Sequence, residues 1–457
     1  MTCLEFLRND YDGWRPFILA LRCPAFLSLL PRTHNFILYV CLIRLVNVFQ
    51  LGSIAGRGPG RLQEVFRWLD VNWAMFWRQT EVTFLAKSYM EFRGVFEREA
   101  DLLDYVNSML EVIGNTPLLK LNRAGKNVPA NVFVKLEHLN PSGSYKDRMA
   151  LAMVEAAEKG LTWNGKKLKP GGIVCDASAG NTAPALAFVC AVKGHKAKLC
   201  TYRTMLRGQS TRLKITDAFG PDVCECRPPS DFLSEEVMNQ LSEEEKDLAW
   251  IIAGKMHMYE LEKNDPNTVW VDQIYNHSNT VGQMGMGREI HRQLRGKIDA
   301  WGCSIGSGGT FLGVALALKD LGVTPYTFGV VPAKSEVYME MKGAEAKKGE
   351  FGPSQASKKL VRLMGLKKWE TEESIAERLY KMGYPDKMFQ VTTEDARNMA
   401  NLLCREEGIY CGMSSGANVF AAFKVAEDMK PGQNVVTVIV DRRDRYLGEY
   451  PNDIYVV

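Results

Sequence analysis

The chain lacks the charge imbalance that is typical of a nucleic-acid-binding protein. The 377 residues after position 80 carry 48 basic and 48 acidic side chains, so the net charge of +4 comes from the first 80 residues, which contain nine arginines, five acidic residues and no lysine. No run of lysine or arginine with interleaved aromatic residues occurs in the chain. Because nucleic-acid binding needs a basic face, we expect no nucleic-acid partner.

The chain also lacks a cysteine spacing that would hold a metal ion. Its eleven cysteines include no C-x-x-C pair, and the closest two, Cys224 and Cys226, have no histidine nearby to complete a zinc set. We therefore expect no metal site. We expect the cysteines to be separate thiols in a reducing compartment.

No segment is apolar over a length that would cross a membrane. The most apolar run, about Phe36 to Val48, is interrupted by Arg44 and is shorter than the roughly 20 residues that a helical span needs. This run belongs to a leader, residues 1–95, which is rich in Arg, Trp, Phe and Leu. Three interpretations of the leader stay open: an Arg-rich targeting segment, an amphipathic segment that docks on a membrane, or an extension with little structure. We expect a cytoplasmic protein with no integral membrane span.

From about Asn107 onward, short apolar runs alternate with helical patterns. Strands are predicted near Val271 and at Val132–Leu136, Gly172–Asp176, Ala197–Thr201, Trp301–Ser304, Tyr326–Val331 and Val435–Val440. Helices are predicted at Asp147–Lys159, Thr182–Val192, Gly282–Leu294 and Thr310–Leu321. This alternation predicts an α/β protein whose parallel sheets are covered by helices.

Four short motifs could carry chemistry, and the first contains Lys146. The sequence NPSGSYKDR, residues 140–148, predicts a turn followed by a helix, with Lys146 at the junction. A helix N-terminus and a buried cleft both disfavour an ammonium ion, which would keep the amine available for Schiff-base chemistry. Taken alone, the motif also fits an exposed Lys146 beside an Asp147–Arg148 pair.

The second motif is Ser178-Ala179-Gly180-Asn181-Thr182, between a predicted strand and a predicted helix. Exposed N–H groups and hydroxyls at such a junction bind anions, including carboxylates. The alternative is an ordinary helix with Asn181 or Ser178 as its N-cap.

The third motif, Gly306-Ser307-Gly308-Gly309-Thr310, has the glycines that let a backbone approach a phosphate closely. It lacks the lysine of a nucleotide P-loop, and Phe311 stands where the dinucleotide-binding pattern requires glycine. The motif predicts a phosphate site without the marks of ATP or NAD binding. The alternative is a tight turn between a strand and a helix.

The fourth motif, Gly412-Met413-Ser414-Ser415-Gly416-Ala417-Asn418, places a small hydroxyl at another junction of a loop and a helix. Ser414 could face the nitrogen of a ring. The alternative is again a helix cap.

In this order, the four motifs resemble the fold-type II pyridoxal-phosphate enzymes, in the branch of cysteine synthases (O-acetylserine sulfhydrylases) and cystathionine β-synthases. The resemblance covers about residues 107–450, from Ile113–Leu118 (IGNTPL) to Asp441–Leu447 (DRRDRYL). It implies two three-layer α/β/α domains with mostly parallel sheets, the tryptophan synthase β-like architecture, after a helical or irregular leader. It also implies a homodimer. Within the body, it implies a smaller, mobile domain in residues 96–275 that closes on the substrate and a larger phosphate-binding domain in residues 276–457.

The resemblance gives each motif a role. Pyridoxal 5'-phosphate would be the cofactor, and Lys146 would be its Schiff-base lysine and the catalytic residue. Asn181 would hydrogen-bond the ring hydroxyl, and Ser414 would face the ring nitrogen. The cofactor phosphate would lie in a cup formed by Gly306, Ser307, Gly308, Gly309 and Thr310. The substrate carboxylate would be bound by Ser178, Ala179, Asn181, Thr182 and Gln273.

The implied reaction is a β-replacement that makes L-cysteine or a related amino acid from O-acetylserine or another serine derivative and sulfide or a thiol. A serine at the ring nitrogen, unlike an aspartate, does not enforce protonation, which favours loss of a β-substituent over transamination. Two alternatives share the same residues. One is a β-elimination lyase of the cysteine desulfhydrase or serine dehydratase type, and the other is a non-catalytic protein that binds the cofactor or a partner.

The chain departs from the family pattern at two places near the site. The carboxylate loop of the family usually reads Thr-Ser-Gly-Asn-Thr, whereas here it begins Ser178-Ala179. A glycine-rich stretch that lines the active site in relatives is replaced by Leu363–Trp369 and a charged insert to about Lys387. Both departures indicate that the substrates can differ from the usual ones.

Overall fold

The structure is a computed structural model that describes residues 105–447, except 179, 202–209, 334–338, 342 and 354. The predicted leader, residues 1–95, and Ala179 lie outside the described residues. Among the residues that are described, no helix combines the length and the apolar character that a membrane span requires.

The strands form two main sheets and a short pair. The strands are β1 Leu118–Lys120, β2 Asn131–Leu136, β3 Ile173–Ala177, β4 Lys196–Thr201, β5 Asp222–Glu225, β6 Thr268–Trp270, β7 Ala300–Ser304, β8 Tyr326–Pro332, β9 Met339–Met341, β10 Glu345–Lys347, β11 Phe351–Pro353, β12 Lys387–Val391 and β13 Asn434–Ile439. The larger sheet has the order β1-β2-β13-β7-β8-β12-β10, the smaller sheet has the order β5-β4-β3-β6, and β9 pairs with β11. Both main sheets are parallel, except that the outermost strands β1 and β10 run antiparallel to their neighbours.

Helices connect the strands and cover both faces of each main sheet. They are α1 Lys146–Glu158, α2 Thr182–Lys193, α3 Thr211–Asp217, α4 Glu235–Gln240, α5 Glu243–Asn264, α6 Ser278–Leu294, α7 Gly309–Asp320, α8 Gln355–Met364, α9 Lys367–Thr371, α10 Ile375–Lys381, α11 Thr393–Glu407 and α12 Met413–Glu427. The ends of several helices are marked by short sequence signals. Ser242 and Glu245 form a capping box at the start of α5, and α2 ends at Gly194, whose φ of 73° is favourable for glycine.

Alternate residues of the central strands point to opposite faces of the larger sheet, as the two-residue period of a strand requires. On one face, Ala300 and Val435 pack in a core with residues of α11 and α12. On the other face, Trp301 and Val436 pack with residues of α6 and α7. The larger sheet is therefore the middle of three layers.

The smaller sheet is built in the same way. Val174 and Leu199 pack with α1 and α2 on one face, and Cys175 and Trp270 pack with α5 on the other. The prediction of two three-layer α/β/α units with mostly parallel sheets is confirmed for the described residues. The buried side of α5 includes Ile252.

The two sheets do not divide the chain into two consecutive halves. β1 and β2 belong to the larger sheet, and the smaller sheet is formed by strands that lie between residues 173 and 270. The chain thus forms the first two strands of the larger sheet, then the smaller sheet, and then the remaining strands of the larger sheet. The division into 96–275 and 276–457 stays a prediction.

The prediction of separate thiols is wrong for one pair of cysteines. Cys200 and Cys224 are opposite each other on the neighbouring strands β4 and β5, with their Cα atoms 4.4 Å apart, and the structure joins them as a disulfide. The two cysteines are 24 positions apart in the sequence with helix α3 between them, so no local spacing indicates the pairing. Register between strands brings the two thiols together.

Arg148 is the centre of a buried charge network that joins three parts of the chain. Its Nε donates to Glu137 Oε2 at 2.7 Å, and its Nη1 donates to Glu289 Oε1 at 2.8 Å. Lys135 Nζ lies 2.7 Å from Glu289 Oε2. Burial by itself would raise the pKa of Glu289, but the hydrogen bonds and charges of Arg148 and Lys135 lower it to about 2. The network holds α1 to the turn after β2 and to α6.

Replacing Arg148 by methionine should destabilise the fold, because it leaves Glu137 and Glu289 buried without their main partner. Breaking a buried ion pair from one side costs about 3–5 kcal/mol. We expect a lower urea midpoint for the apoprotein of Arg148→Met, measured by circular dichroism. The control is Arg288→Met, which removes an exposed arginine next to Glu289 and should leave the midpoint unchanged. Equal midpoints for Arg148→Met and the unaltered protein would contradict this role.

Candidate active site

The four motifs lie at the carboxyl ends of parallel strands and are joined by hydrogen bonds. Tyr145, just before α1, donates its N–H to Val440 O at 3.0 Å, and Val440 donates its own N–H to Ser415 Oγ at 2.9 Å. Gln283 Nε2, on α6, donates to Tyr145 O at 3.1 Å. Loops at the carboxyl edge of such sheets form the binding crevice of α/β proteins. The first and fourth motifs therefore share one crevice.

Lys146 is the first residue of α1, and its side chain is half-buried. Burial of the ammonium lowers its pKa to about 8. Cys303, on β7, interacts electrostatically with Lys146, which places the amine near the larger sheet, and burial raises the pKa of the Cys303 thiol well above its ordinary value. A larger share of neutral amine is therefore available near neutral pH, as nucleophilic and general-base chemistry both require.

The neighbours of Lys146 do not form the Asp147–Arg148 pair of the alternative interpretation. Asp147 instead accepts a hydrogen bond from the backbone N–H of Ser142 at 2.7 Å and another from the Ser142 hydroxyl. Arg148 is bound by the carboxylates of the buried network. Asp147 thus fixes the turn before Lys146, and Arg148 fixes the helix after it.

The glycine motif forms an open turn at the start of α7. Gly308 is the N-cap, with φ of 88°, and no side chain caps the helix. A Cβ at Gly309 would collide with the side chain of Asn279, whereas a Cβ at Gly306 would meet nothing within 4 Å. The first N–H groups of a helix have no carbonyl partner within it, so this turn presents donors to an anion. Its Thr310 side chain hydrogen-bonds Tyr145, the residue before Lys146.

The second motif contacts two other parts of the site. Asn181 is the N-cap residue of α2, but its side chain does not cap the helix. Its Nδ2 donates to Asp441 Oδ2 at 2.5 Å, and its Oδ1 accepts from Arg445 Nη1 at 2.7 Å. An amide nitrogen carries two hydrogens, so Nδ2 keeps one for a ligand. Thr182 Oγ1 donates to Gln273 Oε1 at 2.5 Å. Ser178 is half-buried, and its Oγ accepts from the Gly180 N–H at 3.1 Å.

The two serines of the fourth motif differ in what they can bind. Ser415 is buried, and its hydroxyl already accepts from Val440. Ser414 lies in the first turn of α12 with its side chain exposed, and Gly412 rather than a side-chain hydroxyl occupies the N-cap. Ser414 is therefore the serine that is accessible to a ligand, and its role at a ring nitrogen stays a prediction.

Asn279, which no sequence motif indicated, connects the glycine turn to the turn that contains Gln273. Its Nδ2 donates to Gln273 O at 2.8 Å and to Ser307 Oγ at 3.1 Å, and the residue is buried. Its Oδ1 is buried without a hydrogen-bond partner in the structure. The residue lies inside a helix that was predicted to begin only at Gly282, so no local pattern marked it.

The comparisons with known proteins agree with this geometry. The model of the pyridoxal-phosphate dependent enzyme family matches residues 109–441. The chain belongs to this family. A cysteine synthase of Staphylococcus aureus (strain N315) is 33% identical over 344 residues, which cover 75% of this chain and 96% of that protein.

Two solved structures extend the comparison for this family member. The O-acetylserine dependent cystathionine beta-synthase from Helicobacter pylori has a TM-score of 0.58 and 26% identity, covering 75% of this chain and 97% of that one. A hydrogen sulfide-producing enzyme from Fusobacterium nucleatum has a TM-score of 0.57 and 29% identity, covering 76% of this chain and 99% of that one.

The cofactor of this enzyme family is pyridoxal phosphate, and the described residues fit it. The glycine turn suits the phosphate, because it presents N–H donors at a helix N-terminus that no side chain caps. Lys146 supplies the amine, and Asn181 keeps a free N–H. When bound, pyridoxal phosphate supplies an aldehyde that reacts with amines and a conjugated ring that accepts electrons from the substrate Cα.

Lys146→Ala should abolish the visible Schiff-base absorbance of the protein with pyridoxal phosphate while leaving its far-ultraviolet circular dichroism unchanged. The reason is that no other amine is assigned to the aldehyde. The control is Lys159→Ala, which removes an exposed lysine at the other end of α1 and should keep the absorbance. A band retained by Lys146→Ala would reject the assignment.

The lowered pKa of Lys146 also predicts how cofactor uptake depends on pH. The neutral amine attacks an aldehyde, so the rate of Schiff-base formation by the apoprotein should rise with pH through about 8 and then level off, below the ordinary lysine pKa of 10.5. Stopped-flow absorbance measures this rate, with Nα-acetyl-lysine as a control whose rate keeps rising. A protein rate that climbs without a plateau to pH 10 would contradict the lowered pKa.

Proposed function

We propose that the protein catalyses β-replacement, making L-cysteine or a related amino acid from O-acetylserine or another serine derivative and sulfide or a thiol. The observation that carries the proposal is the position of Lys146. Its amine has a pKa lowered to about 8. The residues just before it contact the other motifs, because Tyr145 hydrogen-bonds Thr310 of the glycine turn and Ser144 pairs with Asp441, which binds Asn181. The cysteine synthase of Staphylococcus aureus and the O-acetylserine dependent enzyme of Helicobacter pylori support the same chemistry.

Different residues of the chain have different roles in this reaction. Ser178, Asn181 and Thr182, with Gln273, bind and orient the substrate carboxylate through hydroxyl and amide donors and the N–H groups at the start of α2. Lys146 would remove the α-proton of the bound substrate and later return it. Closure of the smaller domain over the bound carboxylate would exclude water. Ala179, which lacks the hydroxyl usual at its position, would affect the choice of substrate.

Ser414 is proposed to decide the type of reaction. A hydroxyl at the ring nitrogen does not enforce protonation there, so the ring withdraws electrons less strongly than one paired with a carboxylate. Departure of the β-substituent is then favoured over transamination. The exposed side chain of Ser414 at the N-terminus of α12 supports this role.

β-Elimination without a second substrate is the second candidate function. The similarity to a hydrogen sulfide-producing enzyme favours it, and every residue named above would serve it equally. The two functions differ in whether sulfide or a thiol is consumed.

Absorbance and product analysis of the purified holoenzyme test the proposal. O-acetylserine should shift the visible band, and added sulfide should restore it with release of cysteine, because the second substrate completes the replacement. Release of pyruvate and ammonia with no consumption of sulfide would establish elimination instead. No product from any amino acid, despite bound cofactor, would overturn both and indicate a binding protein. Lys146→Ala is the control for turnover that does not depend on the site.

We further infer a homodimer in the cytoplasm. The family resemblance supports the homodimer.

A further inference from the structure

The turn that carries Gln273 has an unfavourable backbone at Asp272. This residue follows β6 closely, is fully buried, and has φ of 44°, in the left-handed region that residues other than glycine rarely adopt. Asp272 Oδ1 accepts from the N–H of Ile274 at 3.3 Å, and Asp272 O accepts from the N–H of Asn276 at 3.0 Å. A conformation of this kind persists only where neighbouring groups hold it.

The groups that hold Asp272 come from a segment almost a hundred residues away. Residues 355–381, containing α8, α9 and α10, are here called the cover segment. Lys368 Nζ lies 2.6 Å from Asp272 Oδ2, and Trp369 Nε1 donates to the same oxygen at 2.8 Å. Lys368 and Trp369 are both buried. The Lys368 ammonium also lies 4.4 Å from the centre of the Trp270 ring, which binds a cation on its face.

The cover segment also contacts the turn on the far side of Gln273. The ring of Trp369 stacks on Tyr275, with centroids 4.6 Å apart and an interplanar angle of 27°. Ile375 donates its N–H to Ile274 O at 3.0 Å. The cover segment therefore holds the residues before and after Gln273, while Gln273 itself faces Thr182.

We propose that Lys368 and Trp369 are positioning residues, which fix Asp272 so that Gln273 meets the substrate carboxylate. This inference rests on the proposed function, in which Gln273 binds that carboxylate. Lys368 and Trp369 affect Gln273 indirectly, because their side-chain nitrogens bind the carboxylate of Asp272, one residue before Gln273. Both contacts end on the same Asp272 oxygen, but the Lys368 donor is itself charged and the Trp369 donor is neutral, so loss of the Lys368 contact should loosen the turn more than loss of the Trp369 contact.

The cover segment packs into two hydrophobic cores, which explains why it can hold the turn firmly. Leu360 and Trp369 belong to the core on one face of the smaller sheet, whereas Ile375 and Leu379 belong to the core on one face of the larger sheet. The segment is anchored in both cores, with the Asp272 turn beneath it. A support fixed at both ends restrains the turn better than one with a free end.

The first test measures the turn itself and needs no turnover. In hydrogen–deuterium exchange of the holoenzyme, Lys368→Met should raise the exchange rate of the peptide that contains residues 272–276 by about threefold or more, because Ile274 loses its fixed acceptor. Lys367→Met, which changes the exposed neighbouring lysine, is the matched control and should leave the rate unchanged. Unchanged exchange in Lys368→Met would overturn the proposal.

The second test measures the consequence for the substrate. Lys368→Met should raise KM for O-acetylserine about tenfold, with kcat within about threefold and the resting Schiff-base absorbance unchanged, because ground-state binding is what is lost. Lys368→Arg should recover most of the loss. If Lys368→Met does not fold, Trp369→Phe keeps the stacking ring, removes one donor and should raise KM about threefold. Unchanged KM in these variants would reject the positioning role.

A double-variant cycle separates positioning from a general structural effect. In a Gln273→Ala background, Lys368→Met should raise KM no further, since both changes act on one contact. Multiplying increases would show that Lys368 acts elsewhere and would overturn the proposal. If the unaltered enzyme gives no product from O-acetylserine, the proposed function fails, and the exchange experiment still decides whether Lys368 and Trp369 hold the turn.

Discussion

The two bidentate contacts of Arg148 are the constraint on which the site depends. They hold α1 between the turn after β2 and helix α6, and Lys146 lies two residues before Arg148 on that helix. The position of the amine is thus set by charges that never meet a ligand. The same helix start is held from the other side by Asp147, through Ser142. A reactive lysine must be held in a fixed position, and the two charged residues that follow it in the sequence, Asp147 and Arg148, hold it there.

Much of the fold could be predicted from the sequence, because its signals are local. The apolar runs at Val132–Leu136 and Trp301–Ser304 became β2 and β7 within one residue, and the small-residue junctions became the starts of α2 and α7. The predicted start of α6, Gly282, is four residues later than the observed start, Ser278. Asn279 and its neighbours are polar, and no side chain caps this helix, so the sequence has no clear signal for its start. Roles taken from the motifs of the family remain proposals for this chain, Ser414 and Gln273 included.

What the sequence could not show depends on contacts between distant residues. The pairing of Cys200 with Cys224 follows from register between strands, and the contact of Lys368 with Asp272 spans 96 residues. The lowered pKa of Lys146 is a property of its burial, which no pattern of neighbours in the sequence contains. The departure of the cover segment from the usual glycine-rich stretch was visible, but the turn that it supports was not.

The position of β13 has a consequence for the order in which the chain can assemble. This strand is the last of the described strands in sequence order, yet it lies between β2 and β7 near the middle of the larger sheet. During synthesis, the growing chain therefore leaves the ribosome with β2 and β7 separated by an open gap, each exposing unpaired backbone groups. The sheet can close only when residues 434–439 emerge, about 300 residues after β2. Until β13 is available, the facing edges of β2 and β7 stay unpaired and are open to pairing with other strands.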